Sequence, residues 1–409
     1  MSSLDWLLDL YAVAKTSGSG IITDDTPLEN QLPPNKDPWY SASEEWESKK
    51  PGDVLRIRSA LNLVRILEGS AAVYHILYRS IDSQDCPSWA VTTLFIPISL
   101  YQSPSGKAAI LSYQFAYNTC NVDYSPSFAL SGVMARSEPN LGIKSSTSLT
   151  LHLAQVPKRA VRLDALRAVH NVLSLGDNSG FNAAIWGYSG GSIATFVAAE
   201  LQPSYAPELN ISAAVVGGLV DDISAAMDKI NKSPIAGTLI ALLLGITAQC
   251  PAERAYLESR LIPETKDGFM STVNTELTQN VAKYSGQDIY AFFKGGGEDL
   301  RAPVLRELYH KQAKLGYRET PKMPMFLYKA IQDQFCLIEL TDATVDRLCE
   351  KGAEITFERN TVGSHVSEIE NGKPRAFRFL KSIFDESYQS PASKRNVMDV
   401  TVDVSSQNK

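Results

Sequence analysis

The stretch Asn182 to Ala198, with its lead-in Phe181, constrains the rest of the chain more than any other. Ala183-Ala184-Ile185-Trp186 is a short apolar run that suits a buried strand. Gly187-Tyr188-Ser189-Gly190-Gly191 then turns sharply, and Ser192 to Leu201 continues with helix-compatible spacing. A strand–Gly-x-Ser-x-Gly–helix unit lifts serine onto a strained turn with its hydroxyl clear of the sheet. Gly187 and Gly191 keep side chains out of the space where strand and helix nearly touch. The N–H of Gly190, at the helix start, would point at a developing oxyanion. Ser189 is therefore the candidate nucleophile; the bland alternative is a turn that merely holds a serine.

Around this unit the chain alternates strand-like and helix-like segments. Val54 to Arg58, Ala71 to Ser80, Trp89 to Pro97 and Ala108 to Phe115 are β-branched, aromatic or apolar runs bounded by turn residues. Residues 116–160 read as a loop region, and Arg162 to Leu175 has helical apolar spacing. Ile211 to Leu219 is a further buried strand. Met325 to Ala330 and Glu354 to Arg359 read as later strands, with helices over Asp342 to Lys351 and roughly Pro374 to Glu386. This alternation predicts an α/β fold with a mostly parallel central sheet. The expected division is an N-terminal extended arm (1–50), a first part of the core (51–219), a helical cap (220–320), a second part of the core (321–389) and a polar, unstructured tail (390–409). The apolar segment Ile235 to Ile246 lies in the cap, where it either lines a lipophilic pocket or is simply a buried helix.

A net charge of −6 offers no basic footprint for nucleic acid. Five scattered cysteines and five dispersed histidines show no metal-type spacing, so no metal site is expected. The N-terminus lacks a basic stretch ahead of its apolar residues, and Asp5 and Asp9 interrupt them. The chain as read looks intracellular, with secretion as the alternative.

In an α/β-hydrolase the order is Ser, then Asp or Glu, then His. His310 and His365 are the histidines that follow Ser189. His365 lies in Thr361-Val362-Gly363-Ser364-His365, a loop between the last strand and the final helix, where a base can reach the turn. His310 sits in a helical cap segment and reads as solvated or packed, His75 lies in a strand and reads as packing or surface, and His170 lies on a helix and reads as structural. Asp333, three residues after the strand Met325 to Ala330, is the preferred acid. Asp342 reads as a helix-start residue, and Asp221 and Asp222 follow the strand after the nucleophile as second choices.

From about Pro51 to Phe384 the residues resemble the fungal secretory lipases of the lipase A type, including trichothecene C-3 esterase-like enzymes. The likeness rests on Pro51-Gly52 with Leu55-Arg56-Ile57-Arg58, on Tyr78-Arg79-Ser80 before Ala90-Val91-Thr92-Thr93, and above all on Gly187 to Gly218. It implies an α/β-hydrolase with a helical cap, a triad of Ser189, Asp333 and His365, hydrolysis of carboxylic esters and no cofactor. Two departures stand out. Asn118 replaces an aspartate that helps form the oxyanion hole, and still offers a backbone N–H and an amide beside Gly190; Tyr124 replaces a cysteine. Between Glu138-Pro139 and Leu163 the family carries a further strand. Here Leu149 to Val156 either substitutes for it, or the chain is a shortened form.

The expected function is hydrolysis of a small lipophilic ester, such as an acetylated secondary metabolite, through an acyl-enzyme on Ser189. A secreted triacylglycerol lipase, an acyltransferase with the same triad and an inactive binding homologue are the alternatives. The expected partner is a small-molecule or lipid ester, with transient lipid-interface contact through the cap.

Overall fold

The computed structural model describes residues 23–24, 32–42, 44–60, 63, 69–130, 150–154, 161–173 and 181–405. Its strands are β1 (Thr23–Asp24), β2 (Val54–Ser59), β3 (Ser70–Ile81), β4 (Pro87–Pro97), β5 (Ala108–Gln114), β6 (Thr150–Ala154), β7 (Phe181–Tyr188), β8 (Ile211–Gly217), β9 (Met325–Ala330), β10 (Ile355–Asn360) and β11 (Arg395–Val400). They form one sheet in the order β1-β2-β3-β4-β6-β5-β7-β8-β9-β10-β11. β2, β3 and β4 are antiparallel neighbours, and β6 joins them antiparallel to β4. From β6 through β11 every neighbouring pair is parallel.

The central strands are apolar on both faces because helices cover both faces. Ala183 and Ile185 of β7, Ala214 and Val216 of β8, and Met325 and Leu327 of β9 point into one core. The helices Val161–Val172, Gly190–Tyr205 and Ile338–Glu350 close it. The alternate residues Trp186, Val215, Phe326 and Tyr328 point the other way, into a core closed by the helix Ser367–Phe384. Between β8 and β9 the chain is helical, and these helices bury a core of their own that includes Leu239, Leu243, Leu257, Phe269 and Leu305.

Four sequence expectations change. The region 116–160 holds a strand: β6 fills the slot between β4 and β5, so Thr150–Ala154, within the expected Leu149 to Val156, supplies it and the sheet beside Ser189 is continuous. The segment read as an unstructured tail holds β11, paired in parallel along β10 from Arg395 to Val400. Its polar sequence fits an edge strand that is half exposed, which patterning alone does not separate from coil. The helix expected from Asp342 begins at Ile338. The last helix begins at Ser367, so Pro374 lies inside it rather than at its start. Ser364 and Ser367 define that start: each side-chain oxygen accepts the other's backbone N–H, at 2.7 and 3.3 Å, as in a capping box. Of the N-terminal arm, residues 23–24, 32–42 and 44–50 are described: β1 pairs in parallel with β2, and the buried Trp39 docks the later residues on β2 through the Arg58 guanidinium, 4.2 Å from its ring.

Candidate active site

Ser189 links β7 to the helix Gly190–Tyr205 with φ 53° and ψ −122°, a conformation that L-residues avoid. The glycines around it are required by contact. A Cβ on Gly187 would lie 2.2 Å from the carbonyl oxygen of Gly191, and one on Gly191 would lie 2.1 Å from that of Gln114. Strand and helix thus meet at a distance only hydrogen permits. The Ser189 N–H donates to the carbonyl of Gly217 at 3.0 Å, which ties the strained residue to β8.

His365 Nε2 lies 2.8 Å from Ser189 Oγ, and His365 Nδ1 lies 2.6 Å from Asp333 Oδ2. The structure brings these three residues together from the ends of β7, β9 and β10. The other carboxylate oxygen of Asp333 accepts the N–H groups of Phe335 and Cys336 at 3.0 and 2.9 Å. Burial raises the pKa of Asp333, but the hydrogen bond and charge of His365, the charge of Lys329 and the Cys336 N–H outweigh it and hold the carboxyl below its ordinary range. An anion aligned in this way selects the imidazole tautomer with its proton on Nδ1 and leaves Nε2 free to accept from the serine.

His365 is held by partners that the sequence alone does not single out. The Tyr188 hydroxyl donates to the His365 carbonyl at 2.6 Å, and the His365 N–H donates to Gln334 Oε1 at 3.1 Å. Phe335 packs edge-on against the imidazole, with ring centroids 5.5 Å apart. The x position of Gly-x-Ser-x-Gly and the residues flanking Asp333 were the available signals, but nothing in their spacing marks them.

Asn118 lies against Gly190: a Cβ there would be 2.6 Å from Asn118 Oδ1. The two residues border a cavity of about 180 Å³. Its walls include Gly190, Ile193, Ala194 and Val197 on one helix, and Thr238, Ala241, Leu242, Gly245 and Ile246 on the facing cap helix Gly237–Ile246. The apolar cap segment therefore does both things expected of it, since Leu239, Ile240, Leu243 and Leu244 on its other sides are buried in the cap core.

The remaining candidates lie elsewhere. His75 is buried against Thr93, with its pKa pushed down to about 3 by burial and by the charge of Arg58. His170 packs near Phe181, and His310 near Tyr317 on the cap. Asp342 pairs with Arg359 at 3.0 Å and sits within a helix rather than at its start. Asp222 caps the helix Ile223–Ile230, and Asp221 is buried against Thr341 and Lys329. All five cysteines are free. Donor atoms of Asp333, Cys336 and His365 come within 4.8 Å of one another, a spacing a metal ion could bridge. Burial pushes the Cys336 thiol up to about 12, however, and the carboxylate and imidazole are already bonded to each other, so this chemistry suits proton transfer better than ligation.

The model of the secretory lipase family matches residues 139–390. A probable trichothecene esterase of Stachybotrys chartarum is 48% identical over 99% of this chain and 88% of that protein. The chain belongs to the secretory lipase family. A trichothecene C-3 esterase of Fusarium sporotrichioides is 37% identical over 90% of this chain and 88% of its own length. Among solved structures, Candida antarctica lipase A in its closed state superposes with a TM-score of 0.80, covering 90% of each chain at 24% identity, and so shares the α/β-hydrolase fold. The protein is a carboxylic ester hydrolase. The expectation of an intracellular location finds no support in a family described as secretory, which favours the secreted alternative. No described helix is long and apolar enough to cross a membrane.

Proposed function

We propose that the protein hydrolyses a small lipophilic ester of a secondary metabolite, of the trichothecene type for which its two esterase relatives are named, with Ser189, His365 and Asp333 as the catalytic triad. The observation that carries this reading is the pair of contacts at His365, 2.8 Å to Ser189 Oγ and 2.6 Å to Asp333 Oδ2, at a serine with φ 53°. Ser189 Oγ attacks the ester carbonyl while His365 Nε2 takes its proton. The N–H of Gly190 and the Asn118 backbone or amide hold the oxyanion. The C–O bond to the alcohol then breaks, and His365 returns the proton to the departing oxygen. Water, deprotonated by the same imidazole, attacks the acyl-enzyme, releasing the acid and restoring Ser189.

The cavity beside Gly190, between the helix Gly190–Tyr205 and the apolar cap helix Gly237–Ile246, supports a lipophilic ester as the substrate. Secretion accords with the family description, and the cap is the surface that would meet a lipid interface.

Chromogenic esters from acetate to palmitate, assayed with wild type and Ser189→Ala beside a serine-reactive phosphonate, test the reading. Activity that peaks at short chains and disappears with Ser189 is expected. A long-chain optimum would instead mark a triacylglycerol lipase, and turnover that survives Ser189→Ala would refute the triad.

A further inference from the structure

Lys329 is a lysine inside the sheet. It belongs to β9, whose residues are all buried, and its side chain is 1% exposed. Its ammonium donates to the carbonyl of Leu219 at 2.9 Å, to the carbonyl of Leu337 at 3.3 Å and to Thr341 Oγ1 at 2.9 Å, and stands 3.8 Å from Asp221 Oδ2. Thr341 Oγ1 in turn donates to that same carboxylate oxygen at 2.5 Å. A buried charge is tolerated only when paired and fully hydrogen-bonded, and this one has both.

The acceptors are the informative part. Leu219 and Asp221 are where the chain leaves β8 for the cap, and the Asp221 carbonyl accepts the N–H of Leu315, where the chain returns from the cap. Leu337 ends the loop that begins after β9 and carries Asp333, and it is the last residue before the helix Ile338–Glu350. One ammonium therefore ties the start of the cap to the far end of the loop that carries Asp333. Asp221 occupies the position after β8 that was the second choice for the triad acid, and its pairing with Lys329 and Thr341 keeps it there.

We propose that Lys329 is a positioning residue for catalysis: it anchors the end of the Asp333 loop to the start of the cap and supplies the positive charge that balances Asp221. The proposal rests on Asp333 being the triad acid. It goes beyond that assignment in making the competence of Asp333 depend on a residue that touches neither substrate nor His365. The depressed pKa of Asp333, which includes a contribution from the charge of Lys329, agrees with the placement.

Lys329→Met and the double variant Asp221→Asn/Lys329→Met test it, assayed for thermal stability, kcat and KM on a short-chain ester. The single variant leaves the Asp221 carboxylate buried without its counter-charge and is expected to be destabilised or to fail to fold. The double variant removes both charges, so its stability is expected to recover toward wild type. Its kcat is expected to stay about 10- to 100-fold low with KM unchanged, the size of loss that a small misplacement of a catalytic group produces. Full recovery of kcat in the double variant would overturn the proposal, because Lys329 would then only neutralise Asp221. Wild-type kcat in a folded Lys329→Met protein would overturn it too, and so would a double variant that stays as unstable as the single one. Wild-type labelling by the phosphonate at Ser189, together with loss of activity in Asp333→Asn, is read separately. If those fail, it is the triad assignment that falls.

Discussion

The Tyr188 hydroxyl donates a hydrogen bond of 2.6 Å to the backbone carbonyl of His365, so the residue before Ser189 holds the peptide of the imidazole that faces it. The contact needs space that glycine provides: a Cβ on Gly217 would lie 2.4 Å from Tyr188 Cδ2, and one on Gly218, at φ 51°, would lie 2.7 Å from Tyr188 Cζ. Tyr188→Phe keeps the ring and leaves a buried carbonyl without its donor, at a cost of about 1–3 kcal/mol in stability. With the imidazole less firmly aimed, kcat is expected to fall about tenfold, equivalent to about 1.4 kcal/mol, with KM unchanged. Steady-state kinetics on a short-chain ester checks this; a rise in KM alone would place Tyr188 in substrate binding instead.

Ser189 sits in a strained backbone conformation. At φ 53° and ψ −122°, glycine is at home where serine is not. Ser189→Gly is expected to abolish hydrolysis and yet raise the unfolding free energy by about 1 kcal/mol, within the range for a strained residue. Denaturant unfolding of the two proteins reads the gain directly. A loss of stability would show that the serine contacts outweigh the strain.

Two neighbouring glycines are expected to fail in different ways. In Gly191→Ala the new methyl meets the backbone oxygen of Gln114 at 2.1 Å, where neither helix nor strand can yield. A loss of about 3 kcal/mol or more is expected, at the upper end for overpacking. In Gly190→Ala the nearest atom, at 2.6 Å, is the side-chain oxygen of Asn118, which can swing away. That variant is expected to fold with near-normal stability and a reduced kcat, because the Asn118 amide leaves the oxyanion position. Thermal melts and kcat measured side by side separate the two; equal loss of stability would contradict the distinction.

Asp333 gives the pH dependence a definite sign. Its folded pKa lies below the ordinary carboxylate value despite the opposing effect of burial, chiefly through the hydrogen bond and charge of His365. A depressed carboxyl contributes stability that is present above the unfolded value, about 4, and is lost as the pH falls through the folded value. The difference in unfolding free energy between wild type and Asp333→Asn is therefore expected to be full at neutral pH and to shrink below about pH 4. In activity, Asp333→Asn is expected to lose about 10⁴-fold in kcat, because an amide favours the wrong tautomer of the imidazole. A stability difference that stays constant into the acid range would mean that Asp333 is not an anion in the fold.

What the chain determines by itself is what short-range sterics and periodicity can carry. Glycines at 187 and 191 around Ser189 permit one close strand–helix junction, and apolar runs such as Met325–Ala330 become strands at the boundaries their composition marks. The order of Ser189, Asp333 and His365 follows once the elbow is read. Tertiary structure decided the rest, because it turns on partners far apart in sequence. Arg395–Val400 is polar in isolation and becomes a strand only because β10 offers it an unpaired edge. Thr150–Ala154 becomes the strand between β4 and β5 for the same reason. The choice among the acids is of this kind as well. Asp333 and Asp221 are carboxylates just past strand ends and Asp342 lies in the helix that follows, and local sequence does not rank them by geometry. Asp342 is drawn off by Arg359 and Asp221 by Lys329 and Thr341, which leaves Asp333 facing the imidazole. A carboxylate in a low-dielectric interior is committed by its nearest cation or donor, and which one is nearest is a property of the fold.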